Sequence, residues 1–372
     1  MSQRVVSVTT FPPTRCGIAR FSDSLLRALD ARGQPVSVAR LVGPRDTPSS
    51  DHRVLVEFDP SSVIGVERAR KVLNRYSAVI VQHEFGIYGP SDGEAVVDLV
   101  AGLETRVMSV LHTVPFRPSP NQRRILEELA AHSDLISVPS HSARVALEDV
   151  YGISAAGVAV LPHGSAWTPV DPRPGIRRRL LTWGLLGPGK GIERAFAAIA
   201  PLRLLSPAPH YQVVGQIHPN ILRRQGPAYR ESLVRLADDL NVSDMVEFDD
   251  SYQSEESLYR TVTQADVIVL PYDNDEQVCS GVLTEAITAG RPVVATNFPH
   301  ARELLGSGAG ILVDHDDIEG MTAAIRQLLT DDFAYRRAVE EARSVAHRLS
   351  WSTIARRHIE YFDRLGETVA VS

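Results

Sequence analysis

The chain has 372 residues, more than one hydrophobic core usually supports, so we expect two domains. Its net charge of −6 argues against a protein that binds nucleic acid through a broad basic surface. The two cysteines cannot form a disulfide framework, and no apolar leader or run of 18 apolar residues is present. We therefore expect a cytoplasmic protein with at most peripheral membrane contact.

The first predicted elements are a strand at residues 5–8 and an amphipathic helix that follows Gly17. Apolar residues recur at the period of a helix with one buried face, at Ile18, Phe21, Leu25 and Leu29. A glycine just before a helix allows a ligand to approach the backbone closely. Gly17, in the segment CGIARFSDSLLRAL, is therefore a candidate ligand contact, and an ordinary glycine of a βα turn is the alternative.

Polar residues follow two later strands of the first half. Predicted strands lie at residues 36–41, 54–58, 78–81 and 107–111. The third of these runs into QHEFGIYG with His83 and Glu84, and the fourth ends at His112. Ligands of open α/β sheets bind beyond the carboxyl ends of the strands, so these three residues are candidates for a site. A structural role as hydrogen-bonded loop residues is the alternative.

The remainder of the first half continues the alternation of strands and helices. Ser119 to Gln122 predicts a helix start with a capping box, and Ser140 predicts another N-cap. A strand at residues 158–161 leads into Pro162-His163-Gly164. Residues 166–176 are rich in proline, which is typical of a connection between domains.

The second half opens with a strand at 180–183 and the glycine-rich turn GLLGPGKG, residues 184–191. Glycines, Lys190 and a helix start are the parts of a phosphate-binding turn. The turn is not a P-loop, because Gly191 follows Lys190 where a magnesium-binding Ser or Thr would stand.

A second polar cluster follows the apolar strand at residues 267–270. The loop carries Asp273, Asp275, Glu276 and Gln277, and a helix then opens at Ser280. Gly290 ends this helix before the next strand, so the stretch is a βαβ unit. A helix amino end beside a strand carboxyl end favours phosphate. An ordinary βαβ unit with a solvated acidic loop is the alternative, and the Asp-Asn-Asp sequence is interpreted as loop, not as a metal site.

These motifs resemble family 4 glycosyltransferases, and CGIA, QHEFG and GLLxPGKG resemble one subgroup. The resemblance covers nearly the whole chain and implies an α/β GT-B fold, in which two Rossmann-like, doubly wound domains face a central cleft. It implies an acceptor-side domain at residues 1–171, a nucleotide-sugar-binding domain at 172–349, and a final helix at 350–372 that packs back on the first domain.

The resemblance also implies residue roles. The implied catalytic residues are His112, Lys190, Glu276 and Gln277. The implied donor-binding residues are Gly17, Lys190, Ser280, Gly281, Val282 and Glu285. The implied acceptor or sugar contacts are His83, Glu84 and His163. Two positions depart from the family, since Gln277 stands where the first of two glutamates is usual and Leu185 stands where an arginine is usual.

The activity implied is retaining transfer of a hexose, with mannose preferred, from a GDP- or UDP-linked sugar to a hydroxyl group of a sugar, polyol or lipid. No metal, separate cofactor or nucleic acid is expected. A sugar-nucleotide epimerase of the same fold is an alternative. The departures at Leu185 and Gln277 leave a non-catalytic sugar-nucleotide-binding protein as another.

Overall fold

The computed structural model describes residues 4–44, 46–251 and 253–367, with the backbone alone at 219–220 and 365–367. Two compact units divide the chain, one formed by residues 1–166 with 351–372 and the other by residues 167–350. The proline-rich segment packs on the second unit from Trp167 onwards, where the indole lies 5.4 Å from the ring of Tyr259. The domain boundary at residues 171–172 stays a prediction, and residues 368–372 of the expected final segment lie outside the described residues.

The first unit contains a seven-stranded parallel sheet. Its strands are β1 (Val5–Thr9), β2 (Val36–Leu41), β3 (Val54–Phe58), β4 (Ala78–His83), β5 (Arg106–Leu111), β6 (Leu135–Val138) and β7 (Val158–Val160). Their order is β3-β2-β1-β4-β5-β6-β7. Every residue of β1 and β4 is buried, as expected for central strands covered by helices on both faces.

Helices connect these strands. They are α1 (Gly17–Asp30), α2 (Val63–Leu73), α3 (Ala95–Ala101), α4 (Pro120–Ala131) and α5 (His141–Tyr151). The predicted capping box at Ser119 and Gln122 is confirmed, because each side chain bonds the backbone of the other residue. Ser140 is also confirmed as the N-cap of α5, since its hydroxyl accepts from the Ala143 N–H.

The second unit contains a six-stranded parallel sheet. Its strands are β8 (Arg179–Trp183), β9 (His210–Val214), β10 (Val246–Asp249), β11 (Val267–Leu270), β12 (Val293–Thr296) and β13 (Gly310–Val313). Their order is β10-β9-β8-β11-β12-β13. The predicted α/β class with two Rossmann-like sheets is confirmed.

Eight helices accompany this sheet in the described residues: α6 (Ile192–Ile199), α7 (Pro219–Gln225), α8 (Ala228–Asp239), α9 (Glu255–Gln264), α10 (Gly281–Thr288), α11 (Pro299–Leu305), α12 (Ile318–Thr330) and α13 (Asp332–Ala346). The sequence predicts helices at about 226–240, 254–263 and 316–329, where α8, α9 and α12 lie, but it predicts none at α7, α11 or α13. Gly226, with φ of 59°, separates α7 from α8. Asp331 separates α12 from α13, because its carboxylate caps the N–H groups of Phe333 and Ala334.

The last helix, α14 (Trp351–Glu367), belongs to the first unit. Its apolar residues Trp351, Ile354 and Phe362 join the core that also contains Phe21 and other residues of α1. The spacing of three residues from Phe362 predicts Leu365 on the same face, but its side chain lies outside the described residues. Gly164 is required beside α14, because a Cβ there would overlap the indole of Trp351. Helix α14 thereby fixes the segment that carries His163.

Candidate functional site

The carboxyl ends of β4 and β5 bring His112 against α1. The His112 Nε2 atom lies 2.8 Å from Oε1 of Gln82. The ring of Phe21, on α1, meets the His112 ring edge-on with centroids 4.6 Å apart. Although the residue is partly exposed, desolvation, with smaller contributions from His163 and His83, lowers the pKa of His112 to about 3. His112 is therefore neutral at physiological pH.

His163 joins the same aromatic cluster. Its ring centroid lies 5.1 Å from that of Phe21 and 5.5 Å from that of Trp351. Its Nδ1 lies 2.7 Å from the carbonyl oxygen of Gly164, and burial lowers its pKa to about 4. The predicted residues His112 and His163 thus pack against one phenylalanine.

His83 lies inside the first unit. The residue is fully buried, and its ring packs on Phe85 and Tyr88 with centroids 4.8 and 6.3 Å away. Neither ring nitrogen has a hydrogen-bond partner among the described residues, and burial lowers the pKa to about 3. Because this side chain is fully buried, contact with an acceptor would require the residues packed around it to move.

Glu84 follows directly and is better placed for chemistry. Its Oε2 accepts a hydrogen bond of 2.6 Å from the Thr113 hydroxyl, and its Oε1 accepts from the Phe85 N–H at 3.1 Å. Desolvation raises the pKa of Glu84, while these two hydrogen bonds oppose the rise. The strand ends that carry Glu84 and His112 are adjacent, since the His112 N–H donates to the His83 carbonyl at 3.0 Å.

Gly17 begins α1 one helical turn before Phe21. Its N-cap is Cys16, whose Sγ accepts from the Ala19 N–H at 3.4 Å. A Cβ at Gly17 would meet no atom within 4 Å. The protein itself therefore leaves space at this position, as a turn that admits a ligand would.

In the second unit, the glycine-rich turn lies against the end of β11. Gly189 and Gly191 have φ values of 92° and 64°, in the left-handed region. A Cβ at Gly191 would overlap the carbonyl oxygen of Pro271, so only glycine allows this approach. The turn places Lys190 Nζ 4.3 Å from the centre of the Tyr272 ring.

The loop after β11 is held by charge pairing. Arg194, on α6, pairs with Asp273 and also with Asp316 at 2.9 Å. Asp273 is therefore engaged in an ion pair. Among the described residues, no group of three His, Cys, Asp or Glu side chains is arranged to hold a metal ion.

The amino end of α10 presents backbone donors. The Ser280 hydroxyl caps the Leu283 N–H at 3.2 Å, whereas the N–H groups of Gly281 and Val282 have no partner among the described residues. Glu285 lies one turn further and is 8% exposed; its Oε2 accepts from Trp183 Nε1, at the end of β8, at 3.3 Å. The first turn of α10 thus places unpaired N–H groups, the positive end of the helix dipole and a carboxylate close together.

The sequence patterns miss His300, which holds the segment before α10 at two points. Its Nδ1 accepts from the Ser280 N–H at 3.0 Å, and its own N–H donates to the Gln277 carbonyl at 3.2 Å. The Gln277 side chain donates to the Cys279 carbonyl at 2.9 Å, and Glu276 is partly exposed. His300 stands twenty residues from Ser280 on α11, and no local motif indicates the contact.

Nine of the twelve predicted site residues therefore fall into two sets, one in each unit. His112, His163, Glu84 and Gly17 surround α1 and the ends of β4 and β5. Lys190, Ser280, Gly281, Val282 and Glu285 surround the glycine-rich turn and the start of α10.

Known proteins with similar sequences and folds indicate the class of protein to which this arrangement belongs. Residues 169–345 match the family model described as glycosyl transferases group 1. Two solved structures have similar folds. The Anabaena protein HepE in complex with UDP has a TM-score of 0.78 and 17% identity, over 97% of this chain and 100% of that one. Sucrose-phosphate synthase from Thermosynechococcus elongatus has a TM-score of 0.77 and 18% identity, over 98% and 100%. The fold is that of GT-B glycosyltransferases.

Curated relatives agree with this class. The chain is 25% identical to the GDP-mannose-dependent alpha-(1-6)-phosphatidylinositol monomannoside mannosyltransferase of Mycobacterium tuberculosis, over 95% of this chain and 96% of the relative. It is 29% identical to the protein of the same description from Mycolicibacterium smegmatis, but that match spans only 59% of each chain. Residues 169–345 therefore form a group 1 glycosyltransferase domain, and the relatives that the chain matches indicate a hexosyltransferase. Among the described residues, no helix combines the length and the apolar composition needed to cross a bilayer.

Proposed function

We propose that the protein transfers a mannosyl group from GDP-mannose to a hydroxyl group of a sugar, polyol or lipid-linked acceptor, with retention of anomeric configuration. The observation that carries this proposal is the similarity, over 95% of the chain, to a relative described as a GDP-mannose-dependent mannosyltransferase. The polar groups of each unit support it.

The second unit would bind the nucleotide end of the donor. The Glu285 carboxylate, beside Trp183, suits the two hydroxyl groups of a ribose. The N–H groups of Gly281 and Val282 and the ammonium group of Lys190 suit a diphosphate. Leu185, which is 41% exposed, stands where an arginine is usual and carries no charge. Lys190 therefore supplies the largest positive charge proposed to bind the diphosphate.

The first unit would bind the sugar and the acceptor. Neutral His112 can hydrogen-bond a sugar hydroxyl, and Glu84, with its raised pKa, can hydrogen-bond an acceptor. No side chain stands out as an enzyme nucleophile, so we propose front-face transfer. The bond between C1 and the diphosphate oxygen breaks, the acceptor oxygen bonds to C1 on the same face, and its proton passes to the departing diphosphate.

The first test of this function is a donor screen. Binding to the folded state raises thermal stability by mass action. We expect GDP-mannose to raise Tm more than UDP-glucose or ADP-glucose, and to give turnover with an inositol or phosphatidylinositol mannoside acceptor. Larger stabilisation and turnover with UDP-glucose would contradict the GDP-mannose assignment.

Glu285→Gln tests the nucleotide end. The amide keeps an acceptor for Trp183 Nε1 but loses the charge proposed to bind the ribose, and charged hydrogen bonds contribute about 1.5–3 kcal/mol. We expect GDP to bind about ten- to a hundredfold more weakly by isothermal titration calorimetry. Exposed Glu319→Gln is the control. Unchanged GDP affinity with lost turnover would move Glu285 from nucleotide binding to chemistry.

Lys190→Ala tests stabilisation of the leaving diphosphate. Negative charge grows on this group as the glycosidic bond breaks, and one fixed donor at such a position contributes about 3–4 kcal/mol. We expect kcat/KM to fall by about a hundredfold or more, and Lys190→Arg to lose less. A Lys190→Ala enzyme within about threefold of wild type would show that another cation, such as Arg15, Arg20 or Arg223, serves the diphosphate.

A further inference from the structure

Gln82 is a buried residue at the carboxyl end of β4 whose amide contacts the His112 ring. In the register of the two strands, Gln82 lies opposite Val110 on β5, and His112 comes two residues later. Side chains alternate along a strand, so Gln82 and His112 lie on the same face. The Tyr88 hydroxyl donates to the Gln82 carbonyl at 2.8 Å, which holds the backbone of Gln82 in place.

With Oε1 of Gln82 facing the ring, this contact favours the tautomer of His112 in which Nε2 carries the proton. An amide oxygen can only accept, so Nε2 of His112 donates to Oε1 of Gln82 across 2.8 Å. In a neutral ring Nδ1 then keeps its lone pair. Nδ1 has no hydrogen-bond partner among the residues that the structure describes, and His112 is partly exposed. The ring therefore offers an acceptor to a ligand.

Packing alone does not explain a glutamine at this position. Its Nε2 is buried and lacks a partner among the described residues. An unpaired buried donor is unfavourable, and a leucine of similar size would avoid it. The amide is better explained by its hydrogen bond to His112.

We propose that Gln82 is a positioning residue, which fixes His112 as the Nε2–H tautomer so that Nδ1 accepts a hydrogen bond from a hydroxyl group of the transferred sugar. The proposal rests on the proposed function, in which His112 contacts that sugar. His112 then acts as a neutral hydrogen-bond acceptor and exchanges no proton during the reaction.

The groups around His112 support a neutral ring. His83 lies on β4 and His163 follows β7, and both lower the pKa of His112. Arg20, on α1, acts in the same direction on His163. Glu84 is held by Thr113 rather than by His112. Because burial lowers the pKa of His112 to about 3, the ring does not titrate between about pH 5 and 8.

Nitrogen-15 NMR of histidine-labelled full-length protein tests the tautomer directly. The His112 signals are assigned by their loss in His112→Ala. We expect the wild-type spectrum to show a protonated Nε2 and an unprotonated Nδ1, unchanged between pH 6 and 8. A protonated Nδ1, or an imidazolium within this range, would overturn the proposal without recourse to any Gln82 variant.

Two substitutions test the consequence for catalysis. Gln82→Leu removes the acceptor, so we expect mixed tautomers and a kcat about tenfold lower with unchanged GDP affinity. Gln82→Glu places a carboxylate beside Nε2 and should raise the pKa of His112. Its kcat should then fall as pH decreases from 8 to 6, because a protonated ring loses the Nδ1 lone pair, whereas wild type should show no such step.

Gln34→Leu is the matched control, since Gln34 is also buried in the first unit but precedes β2, away from His112. We expect it to leave the His112 signals and kcat unchanged. A Gln82→Leu enzyme with mixed tautomers and full kcat would overturn the catalytic role while leaving the proposed function intact. If wild type transfers no sugar, the proposed function fails, and the NMR signals still decide whether Gln82 positions His112.

Discussion

Both units are built around parallel sheets whose central strands are buried, and this constraint decides where chemistry can occur. A buried parallel strand has little room for unpaired polar groups, so they gather where the strands end and the helices begin. His112 follows β5, and Lys190 lies in the turn after β8. The start of α10 adds backbone donors to the second location. The sheet thus determines the site, and the loops determine its chemistry.

At these edges of the sheets, some positions must be glycine because a neighbouring group lies too close for a Cβ atom. Gly191 is fixed by the Pro271 carbonyl and Gly164 by the Trp351 indole. Neither residue offers a functional group, yet each sets the position of a neighbour that does, Lys190 in one unit and His163 in the other. Glycine motifs near such sites therefore indicate close packing of the backbone, and the functional groups belong to neighbouring residues. Gly17 differs, because no described atom lies close enough to require a glycine there.

Local patterns predicted most of the fold, since strands with apolar runs and helices with caps are specified within a few residues. Helix α13 was not predicted, because only Asp331 separates it from α12 and no glycine or proline marks the boundary. The candidate site was predicted only where a motif carried it, as at Lys190 and Glu285. The contacts of Gln82 with His112 and of His300 with Ser280 depend on strand register and on a helix distant in sequence. Periodicity contains no information about either contact.

The proposed function depends most on the proposed nucleotide site of the second unit, where the glycine-rich turn meets the start of α10. Hydrogen–deuterium exchange with and without saturating GDP tests this directly, because bound phosphate would engage backbone N–H groups that are otherwise free. We predict slower exchange in peptides covering residues 184–191 and 277–285, and smaller changes in α8 and α13. Slower exchange confined to other segments, with these two unchanged, would contradict the account.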